Sequence, residues 1–213
     1  CVLFGVTASG KTEIYMELIA AAMDRGEQTL YLLPEIALTT QVIGRLRARF
    51  GDRVSVFHSR LSPRERTELW LSMLNDPAGH PLIVGARSAL FLPFTALGLI
   101  VVDEEHDASY KQHEPSPRYN ARDMAIVLAG LHGAKTVLGS ATPSMESFFN
   151  AHNGKYGLAR LTVRHGDAVL PQVVRVDIAD AQKRKHMRGY FSEAMLKGIE
   201  GALARKEQAI IFQ

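Results

Sequence analysis

The feature that most restricts the fold is a glycine-rich loop between an apolar run and a helical stretch. The loop fits the pattern G-x-x-x-x-G-K-[ST] and ends at Lys11 and Thr12. Residues 1–4 predict a buried strand before it, and residues 13–23 predict a helix after it. Small residues let backbone N–H groups close around phosphates at the helix N-terminus. The residues predicted to bind a nucleotide are Gly5, Val6, Thr7, Ala8, Ser9, Gly10, Lys11 and Thr12.

A second motif supplies the acidic groups that a phosphate-binding loop needs. The apolar residues 99–102 predict a buried strand, and they lead directly into Asp103-Glu104-Glu105-His106. Open α/β sheets bind ligands at the carboxyl ends of their strands. We therefore predict that Asp103 and the Thr12 hydroxyl hold Mg²⁺, that Lys11 neutralises the β- and γ-phosphates, and that Glu104 is the catalytic group that polarises water. The plain alternative is an ordinary glycine turn and a solvated acidic turn.

Strand and helix patterns alternate along the chain, which predicts an α/β protein with a doubly wound, mostly parallel sheet. Ser62-Pro63-Arg64-Glu65 has the signature of a capping box with proline at the first helical position. Trp70, Met73 and Leu74 follow at helical spacing and are predicted to be core residues. The further strands are predicted at residues 29–33, 54–58, 82–84, 98–102 and 136–138, and a further helix at 39–50.

Composition excludes some classes of protein and leaves others open. Hydrophobic residues make up 46% of the 213 and charged residues 22%, which is typical of a globular protein. No apolar stretch reaches the length of a membrane span, so we expect no membrane partner. The single cysteine, Cys1, allows no internal disulfide and no cysteine zinc site in this chain, and a reducing, cytoplasmic setting is expected.

Charge and pattern change along the chain. Residues 1–154 hold 14 Lys/Arg against 16 Asp/Glu, and residues 155–213 hold 11 against 6, which hints at a polyanionic partner or at a solvated basic face. We predict an ATP-binding lobe over 1–154, an extended basic linker over 155–190, and a helix and strand over 191–213, with the strand at 208–213. The last segment is expected to be the truncated start of a second lobe in a longer protein.

The two motifs and their order resemble the DExH group of superfamily-two helicases, and within it the replication-restart helicases. The resemblance runs nearly end to end. Its segments are residues 5–13, 33–39, 58–59, 87–91, 103–107, 109–112, 118–123 and 139–144, together with the Ser192-Glu193 helix start and the strand at 208–213.

This resemblance implies a RecA-like P-loop NTPase lobe that uses ATP and Mg²⁺ as part of a 3′–5′ DNA helicase. It also implies single-stranded and forked DNA, primosome proteins and single-strand-binding proteins as partners, and a zinc module that lies only downstream. The isolated chain is expected to hydrolyse ATP poorly. Ala8 and Thr40 depart from the family, which often has glycine and proline there, and alanine costs up to about 1 kcal/mol if its φ is positive.

Several polar and aromatic residues are expected to connect the nucleotide to DNA. The resemblance implies phosphate contacts for the loops of Thr39 and Arg87, whereas a helix cap and a surface arginine are the plain alternatives. The hydroxyls of Ser140-Ala141-Thr142 are expected to bond the carboxylates of the acidic cluster and to relay the γ-phosphate state, whereas a capping turn is the plain alternative. Residues 109–122 interleave aromatic and basic side chains, as base-stacking loops do. The DNA contacts predicted in that loop are Tyr110, Lys111, Gln112, His113, Arg118 and Tyr119.

Two other functions remain open from the sequence. One is a DExH translocase that moves on duplex DNA without separating the strands. The other is a nucleotide-gated DNA-binding scaffold without productive turnover. The interleaved aromatic residues favour a helicase, because base stacking requires unpaired bases.

Overall fold

The strands of the chain alternate with helices, as the hydrophobic pattern predicts. The computed structural model describes residues 1–37, 40–164 and 172–212. The strands are β1 (Val2–Gly5), β2 (Gln28–Leu32), β3 (Val54–Phe57), β4 (Leu82–Gly85), β5 (Leu97–Asp103), β6 (Lys135–Ser140), β7 (Leu158–Leu161), β8 (Met187–Arg188) and β9 (Phe191–Ser192). The helices are α1 (Lys11–Asp24), α2 (Thr40–Phe50), α3 (Pro63–Asn75), α4 (Ala121–His132), α5 (Met145–His152), α6 (Ile178–Lys183) and α7 (Glu193–Ala204).

Seven strands form one parallel sheet in the order β3-β4-β2-β5-β6-β1-β7. The predicted α/β class with a doubly wound parallel sheet is confirmed. Because every strand runs in the same direction, all carboxyl ends lie at one edge of the sheet. That edge carries the residues that follow Gly5, Asp103 and Ser140.

The sheet is buried on both faces, and successive strand residues alternate between two hydrophobic clusters. Leu30 and Leu32 belong to one cluster, whereas Tyr31 and Leu33 belong to the other. Helices α1 and α2 cover the Tyr31 face, and α3, α4 and α5 cover the Leu30 face. Burial of both faces explains why the strands read as continuous apolar runs without polar alternation.

Helix α3 begins as its sequence predicts. The Ser62 side chain accepts from the Glu65 backbone N–H (3.3 Å), and the Glu65 carboxylate accepts from the Ser62 N–H (2.7 Å). The predicted capping box is thus confirmed. The prediction of three core residues is wrong for two of them: Met73 is fully buried, but Trp70 and Leu74 are each 42% exposed. Trp70 and Leu74 lie on a flank of the helix that the sheet does not cover.

The structure divides into two compact units, Cys1–Ala168 and Val169–Gln213. Strand β7 lies within the region 155–190 that was predicted to be a linker, and it pairs with β1 in the first unit's sheet. The second unit contains α6, α7 and the antiparallel β8–β9 pair. The strand predicted at 208–213 is absent over the described residues 208–212, which pair with no strand of either sheet. Among the described residues, no helix has the length and apolar composition needed to cross a bilayer.

Candidate functional site

The glycine-rich loop connects β1 to α1 and turns through two left-handed residues. Gly10, the N-cap of α1, has φ 86°, and Ala8 has φ 61°. The Lys11 ammonium is buried and donates to the Gly5 carbonyl (2.8 Å). The Ser9 hydroxyl is also buried and has no partner among the described residues. A buried polar group without a partner costs free energy, so the loop is shaped for a ligand that supplies oxygen atoms.

The loop and the acidic cluster share one cavity. It has a volume of about 620 Å³ and lies at the carboxyl edge of the sheet. The sequence predicted this meeting of the two motifs, because β1 and β5 end at the same edge. Arg45 of α2 also lines the cavity, and the sequence analysis did not assign it a role. The lining residues are Thr7, Ala8, Ser9, Gly10, Lys11, Thr12, Glu13, Arg45, Asp103 and Glu104.

Asp103 is held by two tyrosines that the sequence analysis missed. The Tyr15 and Tyr31 hydroxyls donate to its two carboxylate oxygens, Oδ1 and Oδ2, each at 3.1 Å. Burial raises the pKa of Asp103, and the two tyrosine hydrogen bonds oppose that increase. Tyr31 reaches Asp103 because β2 and β5 are neighbours in the sheet, which no local pattern in the sequence reveals.

Glu104 has an unusual backbone conformation for its type. Its φ is 47°, and its side chain is 41% exposed. Burial, followed by the charge of Asp103, raises the pKa of Glu104. Such a strained conformation persists only where the surrounding structure holds it in place. Residues of this kind cluster at functional sites. A carboxylate with a raised pKa is a better proton acceptor than an ordinary one.

His106 joins the acidic cluster to the end of β6. Its Nδ1 lies 2.8 Å from the Ser140 hydroxyl, and its Nε2 lies 3.4 Å from the Thr142 hydroxyl. We expected the hydroxyls of Ser140-Ala141-Thr142 to bond the carboxylates, and this was wrong: they contact the imidazole. The Glu104 carboxylate is 3.7 Å from the same His106 Nδ1, so this nitrogen lies close to both Glu104 and the Ser140 hydroxyl.

Glu105 points away from the cavity into a buried polar cluster. Its side chain is fully buried and accepts from the Arg122 guanidinium (3.3 Å). Its two oxygens also accept from the Ser144 N–H (2.7 Å), the Ser144 hydroxyl (3.1 Å) and the Ser147 hydroxyl (2.8 Å). Ser144 is the N-cap of α5. Glu105 thereby ties the end of β5 to both α4 and α5.

The loop after the acidic cluster is a hairpin, and one of its tyrosines is a core residue. Lys111 pairs with Asn120 in an antiparallel bridge, and the Gln112 N–H donates to the Tyr119 carbonyl (2.9 Å). The prediction that Tyr110 stacks on a base is wrong for this structure, because Tyr110 is 1% exposed. Its hydroxyl reaches the carbonyls of Asp103 (2.7 Å) and Leu32 (3.1 Å) instead. A buried tyrosine at the end of a strand thus finds hydrogen-bond partners for its hydroxyl among the backbone carbonyls.

Arg87 contacts the base of this hairpin. Its guanidinium donates to the carbonyls of Ser109 (3.1 Å) and Lys111 (2.9 Å). Partial burial raises the pKa of Tyr119, and the nearby Arg87 charge opposes this increase. Arg87 therefore has backbone partners in this conformation, and its contact with DNA stays a prediction.

The other predicted DNA contacts lie on the hairpin surface. Lys111 Nζ donates to the Arg118 carbonyl (2.7 Å), and the Gln112 amide donates to the Pro115 (2.7 Å) and Pro117 (3.1 Å) carbonyls. The side chains of His113 and Arg118 are exposed. Thr39 lies outside the described residues.

The chain is similar to a known protein family and to curated proteins. The sequence profile described as "DEAD/DEAH box helicase" matches residues 1–149. Replication restart protein PriA of Bacillus subtilis is 44% identical over 99% of the chain, and that of Chlamydia trachomatis is 42% identical over 100%. The PriA protein of Rickettsia conorii is 44% identical over 98%. The chain covers only 26%, 28% and 31% of these relatives, respectively.

Solved structures show the same fold. The Pyrococcus furiosus Hef helicase domain matches 76% of this chain and 34% of its own, with a TM-score of 0.53 and 21% identity. The DUF1998 helicase MrfA bound to DNA matches 76% of this chain and 23% of its own, with a TM-score of 0.52 and 21% identity. At this identity the likeness concerns the fold alone.

Proposed function

Because the chain belongs to the DEAD/DEAH box helicase family, we propose that it is the ATP-binding part of a DNA helicase. It binds ATP with Mg²⁺ in the 620 Å³ cavity and couples hydrolysis to movement along single-stranded DNA. The observation that carries this proposal is the shared cavity, where the lysine of a phosphate-binding loop faces the carboxylates of Asp103 and Glu104. Such a pairing is what phosphoryl transfer requires.

The groups at this cavity fit a magnesium nucleotide. The Thr12 hydroxyl and the Asp103 carboxylate offer the oxygen ligands that Mg²⁺ prefers. Bound Mg²⁺ neutralises charge on the transferring phosphate. The Ser9 hydroxyl, which is buried without a partner among the described residues, and the N–H groups of the loop face a phosphate. Lys11 leaves the Gly5 carbonyl and donates to the β- and γ-phosphate oxygens.

Glu104 accepts the proton of the attacking water. The water oxygen forms a bond to the γ-phosphorus as the bond to the bridging β–γ oxygen breaks, which yields ADP and inorganic phosphate. The raised pKa of Glu104 makes its carboxylate a stronger base than an ordinary glutamate, as a proton acceptor requires. His106, which lies close to Glu104 and to the hydroxyls of Ser140 and Thr142, transmits the change at the phosphate to the end of β6.

The biological role is proposed from the relatives. Because three of them are replication restart proteins, we propose that the protein unwinds forked DNA in the 3′–5′ direction and starts primosome assembly in the cytoplasm. Primosome proteins and single-strand-binding protein are its proposed partners. All of these properties belong to the whole protein. The relatives are about three to four times as long as the region that this chain matches.

The test is the ATPase rate of the protein that contains this chain, measured with single-stranded DNA, with duplex and without DNA. Stimulation by single strands supports the helicase. Stimulation by duplex alone indicates a duplex translocase, and binding of both ligands without turnover indicates a nucleotide-gated scaffold.

Two variants test the cavity itself. Lys11→Ala should weaken nucleotide binding, and Glu104→Gln should keep nucleotide binding but stop hydrolysis, because an amide cannot accept the proton. Glu17→Gln is the matched control, since Glu17 is exposed on α1 and pairs with Arg49 away from the cavity. Wild-type turnover by Glu104→Gln would show that Glu104 is not the proton acceptor.

A further inference from the structure

A second cavity, distinct from the nucleotide cavity, lies between α3 and the short 3₁₀ turn Arg87–Phe91. It has a volume of about 310 Å³, near the lower end of the range for small-ligand sites. Phe57, the last residue of β3, also lines it. The indole of Trp70 (42% exposed) and the ring of Phe91 (60% exposed) line its sides. Two large aromatic side chains are therefore left open to solvent around one cavity.

The polar groups of this cavity define what it can accept. Its polar lining residues are Arg66, Thr67 and Ser88. The Thr67 hydroxyl already donates to the Pro63 carbonyl (2.9 Å), so toward a ligand it can act only as an acceptor. The Arg66 guanidinium is positioned by the carbonyls of Leu61 (2.9 Å, from Nε) and Ser59 (from Nη2). Within residues 1–37, 40–164 and 172–212, Arg66 forms no ion pair with a carboxylate, and its Nη1 donors are free. A flat apolar group with hydrogen-bonding edges and an attached negative charge matches these features.

The cavity continues toward the other residues expected near DNA. The Phe91 ring packs edge-to-face against Tyr119 of the hairpin, with centroids 5.2 Å apart at 84°. Arg87, at the start of the same 3₁₀ turn, contacts the hairpin base. An aromatic surface thus extends from the hairpin into the cavity, with arginines at both ends.

We propose that the Trp70–Phe91 cavity binds one unpaired base of the single-stranded DNA, with Arg66 on the adjoining phosphate. The aromatic side chains provide stacking faces and the Ser88 hydroxyl can bond a base edge, whereas a purely apolar protein side chain would give neither the Arg66 Nη1 donors nor the Ser88 hydroxyl a partner. This proposal rests on the proposed function, since it assumes that the chain contacts single-stranded DNA.

The test measures the affinity of the protein for a labelled oligothymidylate by fluorescence anisotropy. Each position of the oligonucleotide is replaced in turn by an abasic unit, which removes the base and keeps the phosphate. Wild-type protein should lose affinity at one position. Trp70→Ala should bind the intact strand about 5- to 150-fold more weakly and show no further loss at that position. Trp70→Phe should restore most of the affinity, because a smaller aromatic ring still stacks.

The control variant is Phe149→Ala, which removes an aromatic ring that is 65% exposed on α5 and does not line the cavity. It should bind as the wild type does. The proposal is overturned if Trp70→Ala binds normally, or if it weakens binding while the abasic series still shows the wild-type loss. If a protein partner fills the cavity, the abasic series shows no special position. A wild type that binds ATP but no DNA would overturn the proposed function itself.

A direct signal comes from the indole. Trp70 is the only tryptophan in the 213 residues. Base stacking should therefore quench the tryptophan fluorescence of this chain on addition of oligothymidylate. An abasic chain of equal length should leave it unchanged, and equal quenching by both would overturn the proposal.

Discussion

At the scale of single residues, the candidate site contains two non-glycine residues with left-handed backbones. Ala8 in the phosphate-binding loop has φ 61°, and Glu104 after β5 has φ 47°. A side chain at such a φ meets its own backbone, at a cost of about 1–2 kcal/mol. At Glu104, this conformational cost positions a side chain with a proposed chemical role. At Ala8, the same cost positions only a methyl group, which has no chemical role.

Ala8→Gly should therefore stabilise the protein. Glycine adopts the left-handed region freely but loses more conformational entropy on folding, so the net gain in the free energy of unfolding should be up to about 1 kcal/mol. Denaturant unfolding measures it. Ala21→Gly is the control: Ala21 is exposed within α1, and glycine there should destabilise by about 1 kcal/mol. A loss of stability in both variants would contradict the strain at Ala8.

Some residue roles could be predicted from the sequence and others could not. Lys11 and Asp103 lie in fixed patterns whose spacing places them at strand ends, and they share the cavity as expected. Tyr110 was predicted to be exposed for base stacking and is buried, whereas Trp70 was predicted to be a core residue and lines an open cavity. Their residue type suits both environments, and only the neighbours in space decide between them. Tyr31 was missed for the same reason, because the order of strands in a sheet is not a local property.

At the scale of elements, the buried cluster around Glu105 connects three parts of the fold. It joins the end of β5 to Arg122 on α4 and to Ser144 at the start of α5. Four hydrogen bonds from Arg122, Ser144 and Ser147 satisfy the Glu105 carboxylate. Because these contacts fix the end of β5 to α4 and α5, and His106 contacts Ser140 of β6, these segments should move together.

Glu105→Ala should destabilise the fold strongly. Removal of the carboxylate leaves the buried Arg122 guanidinium (10% exposed) with Asp123 (2.8 Å) as its remaining close carboxylate. It also leaves the Ser144 N–H and the Ser147 hydroxyl without their acceptor, at about 1–3 kcal/mol for each buried donor left unsatisfied. Urea unfolding of the variant gives the value. Glu146→Ala is the control variant. Glu146 pairs with the same guanidinium at 3.9 Å, but its side chain is 71% exposed. Exposed pairs contribute about 0–1 kcal/mol, so an equally large effect of Glu146→Ala would show that burial is not the cause.

Tyr119→Ala should reduce the stimulation of ATP hydrolysis by single-stranded DNA. The Tyr119 ring is half-buried between Phe91 and Arg87 on the hairpin that leaves the acidic cluster, so its loss removes a stacking face. The measurement is the ratio of DNA-stimulated to basal ATPase rate, carried to saturating DNA. Tyr110→Ala would not test this, because its ring is core. If Tyr119→Ala reaches the wild-type maximum at higher DNA concentration, Tyr119 contributes affinity and not coupling.

At the scale of the whole molecule, the sheet and the nucleotide cavity lie within the first unit. All seven parallel strands and every residue that lines the cavity belong to Cys1–Ala168. The second unit, Val169–Gln213, has its own two short strands and two helices. Nucleotide binding and the second unit are therefore separable in structural terms.

A chain of residues 1–168 should bind nucleotide as well as residues 1–213 do. The reason is that each lining side chain keeps its hydrogen-bond partners, including Tyr15 and Tyr31 on Asp103. Titration of a fluorescent ATP analogue with Mg²⁺ measures the dissociation constant of both chains, and circular dichroism verifies that the shorter one folds. Marked weakening in a folded shorter chain would show that the second unit contributes to binding.

The position of β1 between β6 and β7 has a consequence for biosynthesis. Val2 pairs with Leu138 on one side and with Leu158 on the other, so this strand waits for partners made more than a hundred residues later. At about 5–20 residues per second, the delay on the ribosome is on the order of ten seconds. During that time a chaperone has to cover its apolar side chains, because β1 has left the exit tunnel long before its partners are made. The nascent polypeptide should become able to capture nucleotide only after Leu161 has emerged.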